Sequence, residues 1–86
     1  SINYKNTNTI TKILTKIWVE LLSYESVDSK SDFFDLGGDS LLMITLINKI
    51  ENIFSTKISP RSIVAARTLE KQVNIIHQSL CISQER

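Results

Sequence analysis

The stretch "DLGGDSLLMITL", residues 35–46, joins two adjacent glycines and a serine to an apolar run. The apolar residues after Ser40 recur at the three- and four-residue spacing of an amphipathic helix. Gly37 and Gly38 allow another group to approach the backbone closely. The start of a helix also favours an anion, through its N–H groups and its dipole. Ser40 is therefore a candidate attachment point for a phosphate ester, although a plain N-cap at Asp39 or Ser40 accounts for the same local pattern.

Three further helical patterns flank this stretch. Residues 10–22 carry apolar side chains at helical spacing, with Thr9 or Thr7 as the candidate N-cap. Ser59 followed by Pro60 predicts the start of a short third helix. Thr68 is predicted to cap a fourth helix, whose apolar stripe comprises Leu69, Val73, Ile76 and Leu80. Burying these stripes against one another predicts an all-α fold, a small four-helix bundle.

The connections complete the predicted architecture. Residues 23–39 form a long loop between helices 1 and 2, and its apolar members Phe33, Phe34 and Leu36 are expected to pack on the core. Polar residues 1–8 are interpreted as a linker or frayed N-terminus, and residues 81–86 as a C-terminal tail. The folded domain is therefore predicted to span residues 9–80.

Composition excludes several classes of function. The chain has 86 residues and a net charge of +1, from 10 basic and 9 acidic residues, which is no electrostatic footprint for nucleic acid. Its single cysteine, Cys81, cannot form an internal disulfide, which fits a cytoplasmic location. No apolar run approaches the length that crosses a bilayer, so no membrane association is expected. We expect the isolated domain to be monomeric.

Helix 2 is predicted to have apolar residues on both sides. At roughly 100° per residue, one side is expected to be buried and consists of Met43, Leu46, Ile47, Ile50, Ile53 and Phe54. Leu41 and Ile44 then lie on the opposite, solvent-facing side, together with Thr45 and Asn48. Exposed apolar residues that cluster often mark a docking site, so Leu41 and Ile44 are predicted to contact other proteins.

The segments "DFFDLGGDSLLMITLINKIENIF", residues 32–54, and "ARTLEKQV", residues 66–73, resemble phosphopantetheine-dependent carrier proteins. The resemblance is greatest to the peptidyl carrier, or thiolation, domains of nonribosomal peptide synthetases. It implies that Ser40 is the attachment serine, flanked by the motif residues Gly38 and Asp39. A phosphopantetheinyl transferase would move the arm from coenzyme A to Ser40. The arm would carry an aminoacyl or peptidyl group as a thioester, and the carrier itself would be non-catalytic, as part of a multidomain synthetase.

The resemblance also implies partners. Leu41, Ile44 and Ile63 match positions at which such carriers contact adenylation and condensation domains and, in some synthetases, thioesterase or epimerisation domains. Helix 2 carries only Lys49 and Glu51 as charges, which favours recognition through apolar contacts. Three positions depart from the family pattern: Val64 replaces a frequent Phe, Arg67 a frequent Pro, and Gln72 a usually apolar residue.

Three other interpretations stay open at this point. An acyl carrier of a polyketide or hybrid assembly line shares the pattern, and a cofactor-free helical interaction module would also expose Leu41 and Ile44. The letters "GDSL", residues 38–41, match an esterase signature, but that chemistry needs a base oriented by an acid. The only histidine is His77, and Asn74 stands where the esterases have an aspartate. His77 and Cys81 stand four residues apart and could supply two metal ligands. The sequence has no other His or Cys to complete the set, so no metal site is predicted.

Overall fold

The fold is a bundle of four helices. A computed structural model describes residues 6–84, with side chains described up to residue 81. The helices are α1 (Thr7–Leu22), α2 (Ser40–Phe54), α3 (Pro60–Ala65) and α4 (Leu69–Gln84). Over residues 6–84, extended pairing is confined to one antiparallel bridge between Asp32 and Thr68. The predicted all-α class, the short third helix and the long first loop are confirmed.

One apolar core joins all four helices. Burying such side chains removes apolar surface from water, which is the main driving force for a domain of this size. Trp18 and Phe33 meet edge to face at its centre, with ring centroids 5.2 Å apart. The fully buried apolar residues are Ile10, Leu14, Trp18, Phe33, Leu46, Ile50, Ile63 and Ile76. Phe33 therefore anchors the long loop as predicted, and Phe34 and Leu36 pack partly buried against the same core.

Hydrogen bonds hold the long loop against the connection between α3 and α4. The carboxylate of Asp32 accepts the N–H groups of Phe34 and Asp35, at 2.9 and 3.1 Å, and so shapes a tight turn. The N–H of Phe33 donates to the carbonyl of Arg67 at 2.9 Å, and that of Leu69 donates to Ser31 at 3.1 Å. The segment before Ser40 is thus held by backbone hydrogen bonds and by the packing of its apolar side chains on the core.

The start of α1 and the end of α4 differ from the predicted ones. Asn6 caps α1 by accepting the Asn8 N–H at 2.8 Å, so the prediction of Thr7 or Thr9 as the cap is wrong. Helix α1 includes residues 7 and 8, and α4 includes residues 81–84, which the sequence assigned to linker and tail. Residues 1–5 and 85–86 of those segments lie outside the described residues. An Asn can cap as well as a Thr, so composition alone did not decide the start.

A buried hydrogen bond joins α1 to α4. The indole N–H of Trp18 donates to Oε1 of Gln72 at 3.0 Å, and Gln72 is fully buried. This bond accounts for a polar residue at a usually apolar position, because a buried indole needs an acceptor. Thr68 does not cap α4 with its side chain: within the described part of the chain, its buried Oγ1 has no hydrogen-bond partner.

Ile53 is an exception on α2. It was expected on the buried side, yet 41% of it is exposed. The other members of the predicted stripe are buried: Met43, Leu46, Ile47, Ile50 and Phe54. Ile53 lies in the last turn of α2, where the helix approaches its end at Phe54. Phe54, one residue further on, is buried, so closeness to the helix end is not the cause. At about 100° per residue, Ile53 points roughly 80° away from the mean direction of the other five residues, which places it at the edge of the buried stripe.

Candidate functional site

Ser40 is the first residue of α2, and its side chain is exposed. The residue before it performs the capping. Oδ1 of Asp39 accepts the N–H of Leu42 at 2.9 Å, and the Asp39 carbonyl accepts the N–H of Met43 at 2.9 Å. Of the two candidate caps, Asp39 is therefore the one used. The Ser40 hydroxyl is not needed to start the helix.

The first turn of α2 is suited to an anion. An α-helix leaves the N–H groups of its first turn without intrahelical acceptors. The Asp39 carboxylate accepts the N–H of Leu42. The N–H groups of Ser40 and Leu41 lie in the same turn, beside the exposed Ser40 hydroxyl. The helix dipole adds about 0.3–1 kcal/mol in favour of a negative group at such a position. A phosphate ester on Ser40 Oγ therefore fits the residues that are present.

The two glycines have different local roles. Gly37 has a φ of +104°, a left-handed conformation that side chains disfavour, and no atom lies within 4 Å of where its Cβ would be. Gly38 is instead limited by space. A Cβ there would overlap the Phe33 ring and lie 2.7 Å from the Phe33 carbonyl oxygen. The close approach that Gly38 permits is thus made by Phe33 of the same chain, which seats the backbone two residues before Ser40.

Exposed apolar side chains lie next to Ser40, as predicted. Leu41 is 72% and Ile44 57% exposed. Helix α3 packs against α2 and presents Val64, which is 45% exposed. The prediction of Ile63 as a partner-contacting residue is contradicted by its placement, because Ile63 is fully buried in the core. Val64, the next residue, points about 100° away from Ile63 around the helix axis, and it is the one of the two that reaches solvent.

A charged cluster lies on the loop that leads to Ser40. The guanidinium of Arg67 contacts Asp32, with Nε 2.9 Å from Oδ2, and its Nη2 lies 3.8 Å from Oδ1 of Asp35. The same guanidinium carbon lies 5.2 Å from the centroid of the Phe34 ring. Partial desolvation raises the pKa of the Asp32 carboxyl, but the Asp35 N–H, the Arg67 guanidinium and the Phe34 N–H together lower it below its ordinary value.

The sequence did not predict this cluster. In the sequence, Arg67 stands out only as a departure from a family pattern, and Asp32 lies 35 residues away from it in the chain. A charged residue at a position where proline is frequent was the available signal. No local spacing rule pairs residues so distant, so the contact became visible only in the folded chain.

Other chemistry has less support. His77 lies on α4 with its Nε2 3.7 Å from the Cys81 sulfur. The described residues contain no group of three or more His, Cys, Asp or Glu side chains placed to hold a metal ion. Across the same residues, no helix has both the length and the apolar character that a membrane crossing requires. The exposed serine at the start of α2 is therefore the strongest candidate site.

Comparison with known proteins identifies a family. The family model described as "Phosphopantetheine attachment site" matches residues 12–76. A mycosubtilin synthase of Bacillus subtilis is 33% identical over 67 residues, which is 78% of this chain and 3% of that protein. Gramicidin S synthase 2 of Brevibacillus brevis is 35% identical over 71 residues, which is 83% of this chain and 2% of that protein. The chain thus spans a small part of these relatives.

A solved structure gives the same result for the fold. BlmI, a type-II acyl carrier protein from Streptomyces verticillus involved in bleomycin biosynthesis, matches with a TM-score of 0.81 and 28% identity. The match covers 86% of this chain and 89% of that one, so almost the whole of both domains is superposed. Together with the family match over most of the chain, this shows that the protein belongs to the phosphopantetheine-attachment family of carrier domains.

Proposed function

We propose that this chain is a peptidyl carrier, or thiolation, domain, with its phosphopantetheine arm attached to Ser40. One observation carries the proposal: Ser40 is exposed in the first turn of α2, directly after a Gly-Gly-Asp segment in which Asp39 performs the capping. The mycosubtilin and gramicidin S synthases are named for peptide products, and this favours a peptidyl over another acyl cargo. When bound, the arm supplies a thiol that holds an aminoacyl or peptidyl group as a thioester.

The chain's own residues would present the cargo rather than transform it. Ser40 supplies the oxygen of the phosphate ester, and the first turn of α2 offers N–H groups to the phosphate. In the attachment step, a bond forms between Ser40 Oγ and phosphorus while the pyrophosphate link of coenzyme A breaks. The nucleotide half leaves, and the hydroxyl proton passes to a base of the transferase. Tethering then gives each partner active site a high effective concentration of the cargo.

The direct test is loading of the domain. Incubation with coenzyme A and a broad-specificity phosphopantetheinyl transferase should raise the intact mass by one phosphopantetheine group, and fragmentation should place it on the peptide that contains Ser40. An unchanged mass, with a known carrier loaded in parallel, would contradict the proposal. The esterase interpretation predicts instead hydrolysis of simple esters that depends on both Ser40 and His77.

The peptidyl and polyketide assignments can be separated by the enzyme that charges the arm. Helix α2 carries Lys49 and Glu51 as its charged residues and is otherwise uncharged, which favours partners with apolar rather than basic surfaces. We expect an adenylation domain to charge the loaded chain with an amino acid. Charging by an acyltransferase, with no aminoacylation by any adenylation domain tested, would favour the acyl carrier alternative.

We further expect the isolated domain to be a monomer and the protein to act in the cytoplasm.

The docking surface for the transferase and for adenylation and condensation domains would consist of Leu41, Ile44 and Val64. Val64 replaces Ile63 in this surface because Ile63 is buried. Ile44→Asp should keep the fold, with an unfolding free energy within about 0.5 kcal/mol of the native value, because the side chain is solvated. Charging by a partner domain should fall roughly tenfold, the factor for losing a modest apolar contact. Thermal unfolding and single-turnover charging would measure the two effects.

The matched control for this prediction is Ile47→Asp on the same helix. Ile47 is 8% exposed, so a carboxylate there would be buried without a partner and should unfold much of the domain. Should Ile44→Asp unfold the domain as Ile47→Asp does, the assignment of Ile44 to the surface is wrong. Normal folding with unchanged charging would instead remove Ile44 from the docking surface.

A further inference from the structure

Arg67 contacts the loop before Ser40 through both its side chain and its backbone. Its Nε lies 2.9 Å from Oδ2 of Asp32, its Nη2 3.8 Å from Oδ1 of Asp35, and its guanidinium over the Phe34 ring. Its carbonyl accepts the N–H of Phe33 at 2.9 Å. One residue in the connection between α3 and α4 thus holds four consecutive residues of the loop, 32–35.

These contacts continue to Ser40. The carbonyl of Phe33 accepts the N–H of Gly38 at 2.9 Å, and the Phe33 ring fills the space where a Gly38 side chain would lie. Gly38 is followed by Asp39, whose carboxylate starts α2 by accepting the Leu42 N–H. A displacement of residues 32–35 therefore has a contiguous path to the start of α2 through Phe33 and Gly38.

The energetics favour positioning over folding stability. The side chains of Arg67 and Asp35 are 53% and 77% exposed, so water screens this ion pair and it contributes little to folding. The side chain of Asp32 is 20% exposed, but its partner Arg67 is still about half exposed, so this closer ion pair is screened in part as well. The geometry is nevertheless well defined, since Asp32 is fixed by two backbone N–H groups and the guanidinium also lies on an aromatic face. A planar guanidinium suits such a combined contact, which an ammonium reproduces only in part.

We propose that Arg67 is a positioning residue for Ser40: its contacts with Asp32, Asp35 and Phe34 hold the loop in the arrangement that the phosphopantetheinyl transferase binds. This inference rests on the proposed function of Ser40. Without the side chain of Arg67, the loop samples other arrangements, and the fraction of molecules ready for binding falls. The apparent affinity for the transferase falls by the same fraction.

The ion pair of Lys30 and Glu70 provides a matched control. It also joins the long loop to the region around the start of α4, with Nζ 3.1 Å from Oε1, and its side chains are similarly exposed. Lys30 lies before the turn that Asp32 caps, and it has no part in the described contacts with Phe33 and Phe34. Lys30→Met removes this ion pair. If the loss of any surface ion pair on this side of the domain slowed loading, Lys30→Met would slow loading as well.

The test compares loading kinetics of the wild-type domain with Arg67→Met, Arg67→Lys and Lys30→Met. Arg67→Met should raise the KM of the transferase for the carrier roughly three- to fivefold and leave kcat within about twofold, because binding readiness rather than chemistry is reduced. Arg67→Lys should recover part of the loss. Lys30→Met should match the wild type.

A second variant checks that Arg67 acts through Asp32. Asp32→Asn keeps an oxygen that can accept the Phe34 and Asp35 N–H groups but removes the charge that Arg67 contacts. Asp32→Asn should raise the KM as Arg67→Met does, and the double variant should be no worse than either single one. The amide NMR signals of Gly38 and Ser40 should shift in Arg67→Met and stay in place in Lys30→Met.

The outcomes separate this inference from the proposed function. A wild-type domain that is never loaded would contradict the proposed function itself. A loaded wild type together with a wild-type KM in Arg67→Met would contradict only the role of Arg67. An equal rise of KM in Lys30→Met, or additive effects of Asp32→Asn and Arg67→Met, would also overturn it. If Arg67→Met does not fold, Arg67→Lys and Asp32→Asn decide by the same measurements.

Discussion

Ser40→Ala is expected to abolish loading by coenzyme A and a phosphopantetheinyl transferase, so that the intact mass stays that of the unmodified chain. The alanine removes the oxygen that forms the phosphate ester, and the neighbouring side chains in the turn, Asp39 and Leu41, offer no hydroxyl. Stability should change by no more than about 0.5 kcal/mol, since Ser40 is exposed and a surface residue of this kind contributes little. Intact mass spectrometry and thermal unfolding measure both.

Ser62→Ala is the control for this loss. Ser62 is also an exposed serine in the first turn of a helix, where its N–H donates to the Ser59 hydroxyl at 3.4 Å. It lacks the preceding glycines and the exposed leucine that follows Ser40, so its replacement should leave loading at the wild-type rate. Modification that persists in Ser40→Ala, or disappears in Ser62→Ala, would show that the attachment site is elsewhere.

The parts of the fold that depend on local pattern could be predicted from the sequence. The spacing of Leu46, Ile47 and Ile50 gives the buried side of α2, and the same rotation leaves Leu41 and Ile44 in solvent, as found. Ser59 and Pro60 gave the start of α3 because a capping side chain and a fixed φ act within one turn. Each of these features depends on residues of a single helix and its cap.

Features that depend on distant residues could not be predicted in this way. Helix α3 has six residues, too few for a stripe, so the tertiary contacts alone decide that Ile63 faces the core and Val64 faces solvent. The indole of Trp18 is bonded to Gln72, which is 54 residues away. Such pairs follow from how the helices pack, and packing depends on the sum of many side-chain shapes rather than on spacing.

Gly38→Ala is expected to have the second large effect, on both stability and loading. The new methyl group would overlap the Phe33 ring and lie 2.7 Å from the Phe33 carbonyl oxygen, which also accepts the Gly38 N–H at 2.9 Å. Overpacking of this kind costs about 1–3 kcal/mol. Each kcal/mol lowers the midpoint of thermal unfolding by about 4–8 °C in a domain of this size. Loading should slow even well below that midpoint, because Ser40 lies only two residues away.

Gly37→Ala distinguishes lack of space from backbone conformation. No atom lies within 4 Å of a Cβ at Gly37, so its replacement is destabilising through its φ of +104° alone. Phe33→Leu, which shortens the ring that meets Gly38, should therefore relieve part of the cost of Gly38→Ala but none of the cost of Gly37→Ala. A double-mutant cycle by thermal unfolding measures the difference. Gly38→Ala could instead lower the unfolding free energy by the same amount in the wild type and in Phe33→Leu. Gly38 would then be required for its backbone conformation and not for the space that it leaves to the Phe33 ring.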